Sequence, residues 1–372
     1  MKLNLDALEI ARQRNRLSKS AFASKLGISS RDLRRLREQK FVSDDFVSFL
    51  SKVTGFPKKF FTIDANLEIS PPTFRKQATL SARERDAGEA AAKLAKLFWE
   101  KVEEEYTLPA VSLPDYSDGD HHFPEGIDRP RHAAAMLREA WGLGSEPIGN
   151  MVQLLERHGI RVLSLCEQNA RGLSAFTFWG EGNTPFVYLN MVNSTERSRF
   201  DAAHELGHLV LHRHADASNV NVEREADRFA SAFLIPKTDL IRHKSVPTIT
   251  NLRLNKRRWK VSVAALVRAY RDNGLIDERR YKHLNIELSR RGWGKEEPDQ
   301  APREISGTWS VIKKDLWTRS QTIEDLAERA GIPKEDALTF TAFGGANFQR
   351  FSSTDQGSTS ESSDEPMLKL VR

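Results

Sequence analysis

The chain has 372 residues, with 57 Lys and Arg against 51 Asp and Glu and a formal net charge of +6. That length accommodates more than one domain and a sizeable core. A hydrophobic share of 39% beside 29% charged residues excludes a membrane-embedded or wholly disordered chain. No stretch approaches the ~20 consecutive apolar residues of a membrane span, and the start Met1-Lys2-Leu3-Asn4 has no apolar signal region. A cytoplasmic location with no membrane partner is therefore expected. The single cysteine, Cys166, excludes a disulfide framework and a thiolate zinc finger, and an inert packed thiol is expected there.

Residues 1–62 hold 14 Lys and Arg against 6 acids, a balance of +8 that leaves the remaining chain at −2. Leu8, Ile10 and Ala11 open a first amphipathic helix. Ser18 caps a second over 19–26, with Ala21, Phe22, Ala23 and Leu26 inward. Gly27 can take positive φ, and a third helix capped by Ser29 or Ser30 covers 31–37. Two more short apolar helices are predicted over 44–53 and 57–61. A short helix, a glycine turn and a basic helix make the helix-turn-helix pattern. Leu33 and Leu36 pack on the bundle, leaving Ser30, Arg31, Arg34, Arg35 and Lys40 to reach phosphates or base edges. The run Leu17-Ser18-Lys19-Ser20-Ala21-Phe22-Ala23-Ser24-Lys25-Leu26-Gly27-Ile28-Ser29 resembles the phage-repressor-type (XRE) family, with Lys19-Ser20 where glutamine usually opens the second helix. The resemblance implies double-stranded operator DNA as a partner; a homodimer is compatible with it. A basic bundle that binds only protein is the alternative.

Pro71-Pro72 break the chain, and a long Ala/Lys/Glu helix follows over 87–102, with Leu94, Leu97 and Phe98 on one stripe. Next comes a polar loop carrying His121 and His122, expected to be solvated rather than metal-bound. Helices over 131–141 and 148–158, a β-run over 160–165, and a hairpin joining 173–179 to 186–189 indicate an α+β unit.

The most informative stretch is Arg199-Phe200-Asp201-Ala202-Ala203-His204-Glu205-Leu206-Gly207-His208. On a helix, His204 and His208 project from one face and can ligate a single zinc ion, the zincin arrangement. Glu205 can take a proton from the water that zinc activates near neutral pH. A third ligand is needed. His214 is unsuitable, since the helix-ending glycine that such a ligand needs is replaced by Leu211, and His212 is expected to be a cation at the helix end. Further on, Ala226, Phe229, Ala230 and Phe233 form the apolar stripe of another helix, on which Glu223 and Asp227 share a face. Glu223 is the preferred ligand over Glu225, with Asp227 placed to hold a ligating histidine by its other nitrogen.

These residues, with Leu234-Ile235-Pro236 closing the second helix, resemble the ImmA/IrrE family of gluzincin-like metallopeptidases. Asp227 stands where asparagine is frequent. The resemblance implies Zn2+ held by His204, His208 and Glu223, and Glu205 as general base. It also implies a bacterial or phage regulator that cleaves a partner repressor or antitoxin. His243 and His283 are expected to be structural. Arg253, Lys256, Arg257, Arg258 and Lys260 around Trp259 read as a solvated helix face, with a second nucleic-acid contact as the lesser alternative. A further short helix over 322–333 precedes a Ser/Asp/Glu-rich end.

The expected fold is multidomain. An all-α helix-turn-helix domain over 1–65 is followed by a helical linker over 66–125. An α+β zincin-like metallopeptidase domain covers 126–298, a helical extension 299–351, and a disordered acidic tail 352–372. Two functions compete: DNA binding joined to zinc-dependent endopeptidase action, or a non-enzymatic DNA-binding repressor or antitoxin that binds a toxin and keeps a structural or vestigial zinc site.

Overall fold

Short polar side chains start the N-terminal helices of the computed structural model, which describes residues 1–36, 41–70, 72–74, 81–117, 128–165, 174–213, 220–294, 297–343 and 369–370. Asn4 Oδ1 accepts from the N–H groups of Asp6 and Ala7 at the head of α1 (Leu5–Arg14), and Ser18 Oγ accepts from Ala21 N in α2 (Lys19–Lys25). Gly27, at φ +66°, turns the chain toward α3 (Ser30–Leu36). There Ser29 supplies the cap, accepting from Asp32 N at 3.1 Å. α4 (Asp44–Thr54) follows, and the helix expected over 57–61 is a 3-10 turn over Lys58–Thr62.

Next along the chain are β1 (Thr73–Phe74), α5 (Ala82–Glu105), β2 (Tyr106–Thr107), α6 (Arg129–Ala140) and α7 (Met151–Arg157). β3 (Arg161–Leu165), β4 (Ala175–Trp179) and β5 (Pro185–Asn190) lead to α8 (Thr195–Leu211) and α9 (Val220–Leu234). α10 (Lys237–Arg242), α11 (Ile249–Trp259), α12 (Val263–Asp272) and α13 (Glu278–Arg290) close the middle of the chain. α14 (Gly307–Thr318), α15 (Ile323–Ala330) and α16 (Lys334–Phe340) come last, before β6 (Lys369–Leu370), which pairs antiparallel with β2. The rest of the tail expected to be disordered lies outside the described residues.

The mixed sheet has the order β1-β4-β5-β3. β3 runs parallel to β5, while β4 is antiparallel to both β5 and β1. Alternate residues serve different cores, as the period of a strand requires. Leu163, Leu165, Phe176, Phe178, Phe186 and Tyr188 enter a core built with α1, α5 and α14 to α16. Val162, Ala175, Val187 and Leu189 enter another, built with α6 to α9 and the helices after them. Both faces are covered, which is why these strands read as apolar runs.

The linker expected over 66–125 is in fact centred on a core helix. α5 buries Ala87, Ala90, Ala91, Leu94, Ala95, Leu97, Phe98, Trp99 and Val102. Its buried Lys96 donates to the carbonyls of Asn66 and Glu68 at 2.8 and 3.2 Å and to Glu181 Oε1 at 2.9 Å. The same core joins the N-terminal helices to the C-terminal extension, where Arg14 Nε meets Asp336 Oδ1 at 2.7 Å. Among the described residues, no helix is long and apolar enough to cross a membrane.

Candidate metal centre

Ser194 caps α8, its Oγ accepting from Arg197 N, and the helix then runs buried between the sheet and α9. Arg199 is anchored at its start. Its guanidinium pairs with Glu304, donates to Ile148 O at 2.9 Å and reaches Trp259 O at 3.5 Å. Glu304 in turn accepts from the N–H groups of Met151 and Val152 at the head of α7, at 2.9 and 3.2 Å. The first turn of α8 is thus fixed by a residue over a hundred positions later in the chain, which no local pattern indicates.

Gly207 lets α9 come close. A Cβ there would stand 3.1 Å from Phe229 Cδ1 and 3.3 Å from Ala226 Cα. The approach puts Glu223 opposite the two histidines: His208 Nε2 lies 3.2 Å from Glu223 Oε1, and His204 Nε2 lies 3.6 Å from Glu223 Oε2. The two Nε2 atoms are 3.0 Å apart. His204, His208 and Glu223 each offer a ligand atom, all within 4.8 Å of one another. Glu205 is fully buried beside His204.

The other ring nitrogens are held from behind. His204 Nδ1 is 3.0 Å from Asp227 Oδ1, and Arg268 donates to Asp227 Oδ2 at 3.4 Å. His208 Nδ1 is 3.3 Å from His212 Nδ1, and His212 Nε2 is 2.9 Å from Glu225 Oε2. The expected end-of-helix cation at His212 is therefore a buried ring between two partners, because α9 folds back along α8. Glu225, the lesser candidate as a ligand, faces His212 and, among the described residues, belongs to no ligand group.

The donor set fits a zinc ion. The Asp227 carboxylate can accept from His204 Nδ1, an arrangement that would leave Nε2 for a metal. Burial pushes the His208 imidazole down to about 4, which keeps it neutral at pH 7. Burial alone would raise the Glu223 carboxyl, but the imidazoles facing it hold it well below the usual carboxylate range. Glu223 Oε1 is nevertheless buried without a hydrogen bond. Two ring nitrogens and a carboxylate oxygen converge on one point, where a cation would find three ligand atoms. Two imidazoles and one carboxylate are the protein ligands of hydrolytic zinc centres.

The residues expected to meet DNA lie elsewhere. Arg31, Arg34 and Arg35 are exposed on α3, Arg35 lies 3.8 Å from Asp32, and Ser30 is the first residue of α3. Lys40, His121, His122, Cys166 and His214 lie outside the described residues. The basic stretch 253–260 is a solvated face only in part, with Arg257 exposed and Lys256 buried. Lys256 is buried between Glu196 and Glu297 at 3.0 Å each, Arg258 pairs with Asp239 at 2.8 Å, and Arg253 and Arg257 face Asp299. Several of its charges thus face acids of the protein, and Lys260 donates to Gly149 O at 2.7 Å. His243 lies 3.4 Å from Asp239, whereas His283 is exposed on α13.

Comparison with curated proteins finds no match to the chain. Over residues 155–270, from the end of α7 through α12, the chain matches the family model of the IrrE N-terminal-like domain, peptidase family M78, and this segment carries all the candidate ligands.

Proposed function

We propose that this chain is a zinc-dependent endopeptidase of the ImmA/IrrE kind that cleaves a regulatory protein, such as a partner repressor or antitoxin. The observation that carries the reading is the convergence of His204, His208 and Glu223 within 4.8 Å, with Glu205 following the first ligand on the same helix. A zinc ion held there would supply a Lewis acid that polarises a peptide carbonyl and makes water nucleophilic near pH 7. Asp227 orients His204 through Nδ1. Glu205 accepts the proton of the attacking water on its carboxylate and returns it to the leaving amine nitrogen. Incubating the metal-loaded chain with the regulatory proteins encoded beside it tests this. Cleavage present in the wild type and absent in Glu205→Gln, with zinc retained, is expected; cleavage undiminished in Glu205→Gln overturns the assignment of the base.

DNA binding is the second half of the proposal. It is supported by two short helices joined at Gly27 and by exposed Arg31, Arg34 and Arg35 on the second. Affinity for duplex DNA should fall with salt by a log–log slope of about −0.9 per phosphate contacted, and a flat response would remove this half. One observation favours the alternative of a non-enzymatic repressor or antitoxin with structural zinc: His204, Glu205 and His208 are all buried. In that case neither the wild type nor Glu205→Gln cleaves anything, while both hold zinc and bind DNA.

A further inference from the structure

The histidine one turn beyond the second ligand has no role in the function proposed above, yet it is buried and doubly engaged. Its ring lies 3.3 Å from His208 through Nδ1 and 2.9 Å from Glu225 through Nε2. Arg129 faces the same Glu225 oxygen at 3.6 Å, and from α6 it also donates to Leu211 O, the last carbonyl of α8, at 3.3 Å. Glu225 is thus held on one side by an arginine and on the other by an imidazole.

We infer that His212 and Glu225 are positioning residues that hold His208 in the tautomer and orientation needed to ligate metal. The inference rests on the zinc reading of the site. The Glu225 oxygen that faces both Arg129 and His212 is an acceptor, so His212 donates to it from Nε2 and presents the lone pair of Nδ1 to His208. His208 then donates from its own Nδ1, and its Nε2, 3.2 Å from Glu223, keeps its lone pair for the metal. The proton order along the chain is Nδ1–H of His208 to Nδ1 of His212, and Nε2–H of His212 to the Glu225 carboxylate. α9 therefore supplies three acids with three tasks: Glu223 faces the metal position, Asp227 holds one ligating histidine directly, and Glu225 holds the other through an intervening imidazole. The arrangement also delivers negative charge to His208 and raises its strength as a ligand.

His212→Phe keeps a flat ring of similar size and removes both nitrogens. Competition against a chelator should show zinc binding weaker by about 10–100-fold, and cobalt substituted at the site should give a shifted visible spectrum. His212→Asn, whose side-chain oxygen can stand near the Nδ1 position, should recover part of the affinity. Glu225→Gln keeps an acceptor without the charge and should give an intermediate loss. Ring nitrogen shifts of the zinc-free wild type should place the His208 proton on Nδ1, and this preference should vanish in His212→Phe. If His212→Phe misfolds, the wild-type tautomer and the Glu225→Gln affinity carry the test. Wild-type zinc affinity and an unchanged cobalt spectrum in His212→Phe, or a His208 proton on Nε2 in the zinc-free wild type, overturn the inference. A wild type that binds no zinc but keeps the Nδ1 proton on His208 refutes the zinc reading and leaves the hydrogen-bond chain standing.

Discussion

Gly207 sits between the two candidate ligands His204 and His208, and replacing it with alanine tests whether helix spacing makes the site. The new methyl would stand 3.1 Å from Phe229 Cδ1 and 3.3 Å from Ala226 Cα, inside the ~3.5–4.0 Å at which carbon atoms attract. Ala226 presents backbone and Phe229 is packed in the core, so relief comes from α9 moving outward by a few tenths of an ångström. Such overpacking costs about 1–3 kcal/mol, and the better helix propensity of alanine offsets about 1 kcal/mol of it. Stability measured in urea should therefore fall by no more than about 2 kcal/mol. Metal binding should suffer more. Ligand distances tolerate deviations of only about 0.2 Å, and α9 is the element that carries Glu223. We expect zinc affinity to drop by about tenfold, close to 1.4 kcal/mol, while circular dichroism stays that of the wild type. Gly207→Ala with undiminished zinc affinity would refute the claim that the glycine sets the distance from Glu223 to the histidines.

Other consequences follow from the same geometry. Asp227→Ala should weaken zinc by about 10–100-fold, with Asp227→Asn close to the wild type because it still accepts from His204 Nδ1; equal affinity in the alanine variant would remove Asp227 from the site. Glu304→Ala leaves Arg199 buried without its acid and two α7 N–H groups without an acceptor, so urea unfolding should show a loss of about 3–5 kcal/mol; a loss below about 1 kcal/mol would mean Arg199 is satisfied elsewhere. Burial pushes the Glu156 carboxyl up to about 7, although Ser306 Oγ and the N–H groups of Gly307 and Thr308 donate to it. Its folded value lies above its unfolded one, so its contribution is full below pH ~4.5 and lost as pH rises through about 7, by about 3 kcal/mol at most. Glu156→Gln should flatten that slope, and an unchanged pH profile would exclude Glu156 as its source.

Spacing along single helices was readable from the residues, and contacts between distant segments were not. Four-residue intervals put His204 with His208 and Glu223 with Asp227 on single faces, and the structure brings those faces together. The caps Ser18 and Ser29 and the hairpin of β4 with β5 were visible in the same way. The helix of α5 was legible too, but its burial was not, because alanine fits both a solvated helix and a core. Only the tertiary fold reveals that Ala90, Ala91 and Ala95 are enclosed and that carbonyls and Glu181 satisfy Lys96. The ion pairs of the basic run 253–260 were not legible for the related reason that its partners Glu196, Asp239, Glu297 and Asp299 are scattered along the chain. Glu225 and His212 meet only because the helices carrying them fold into a hairpin.

Zinc content of the purified chain, read by mass spectrometry, bears on the proposed centre without any substrate. The expected result is about one zinc per chain in the wild type and in Glu205→Gln, with little or none in His204→Ala, His208→Ala or Glu223→Ala. A wild-type chain that takes up no zinc when the metal is supplied, or alanine variants that hold as much as the wild type, would contradict the assignment.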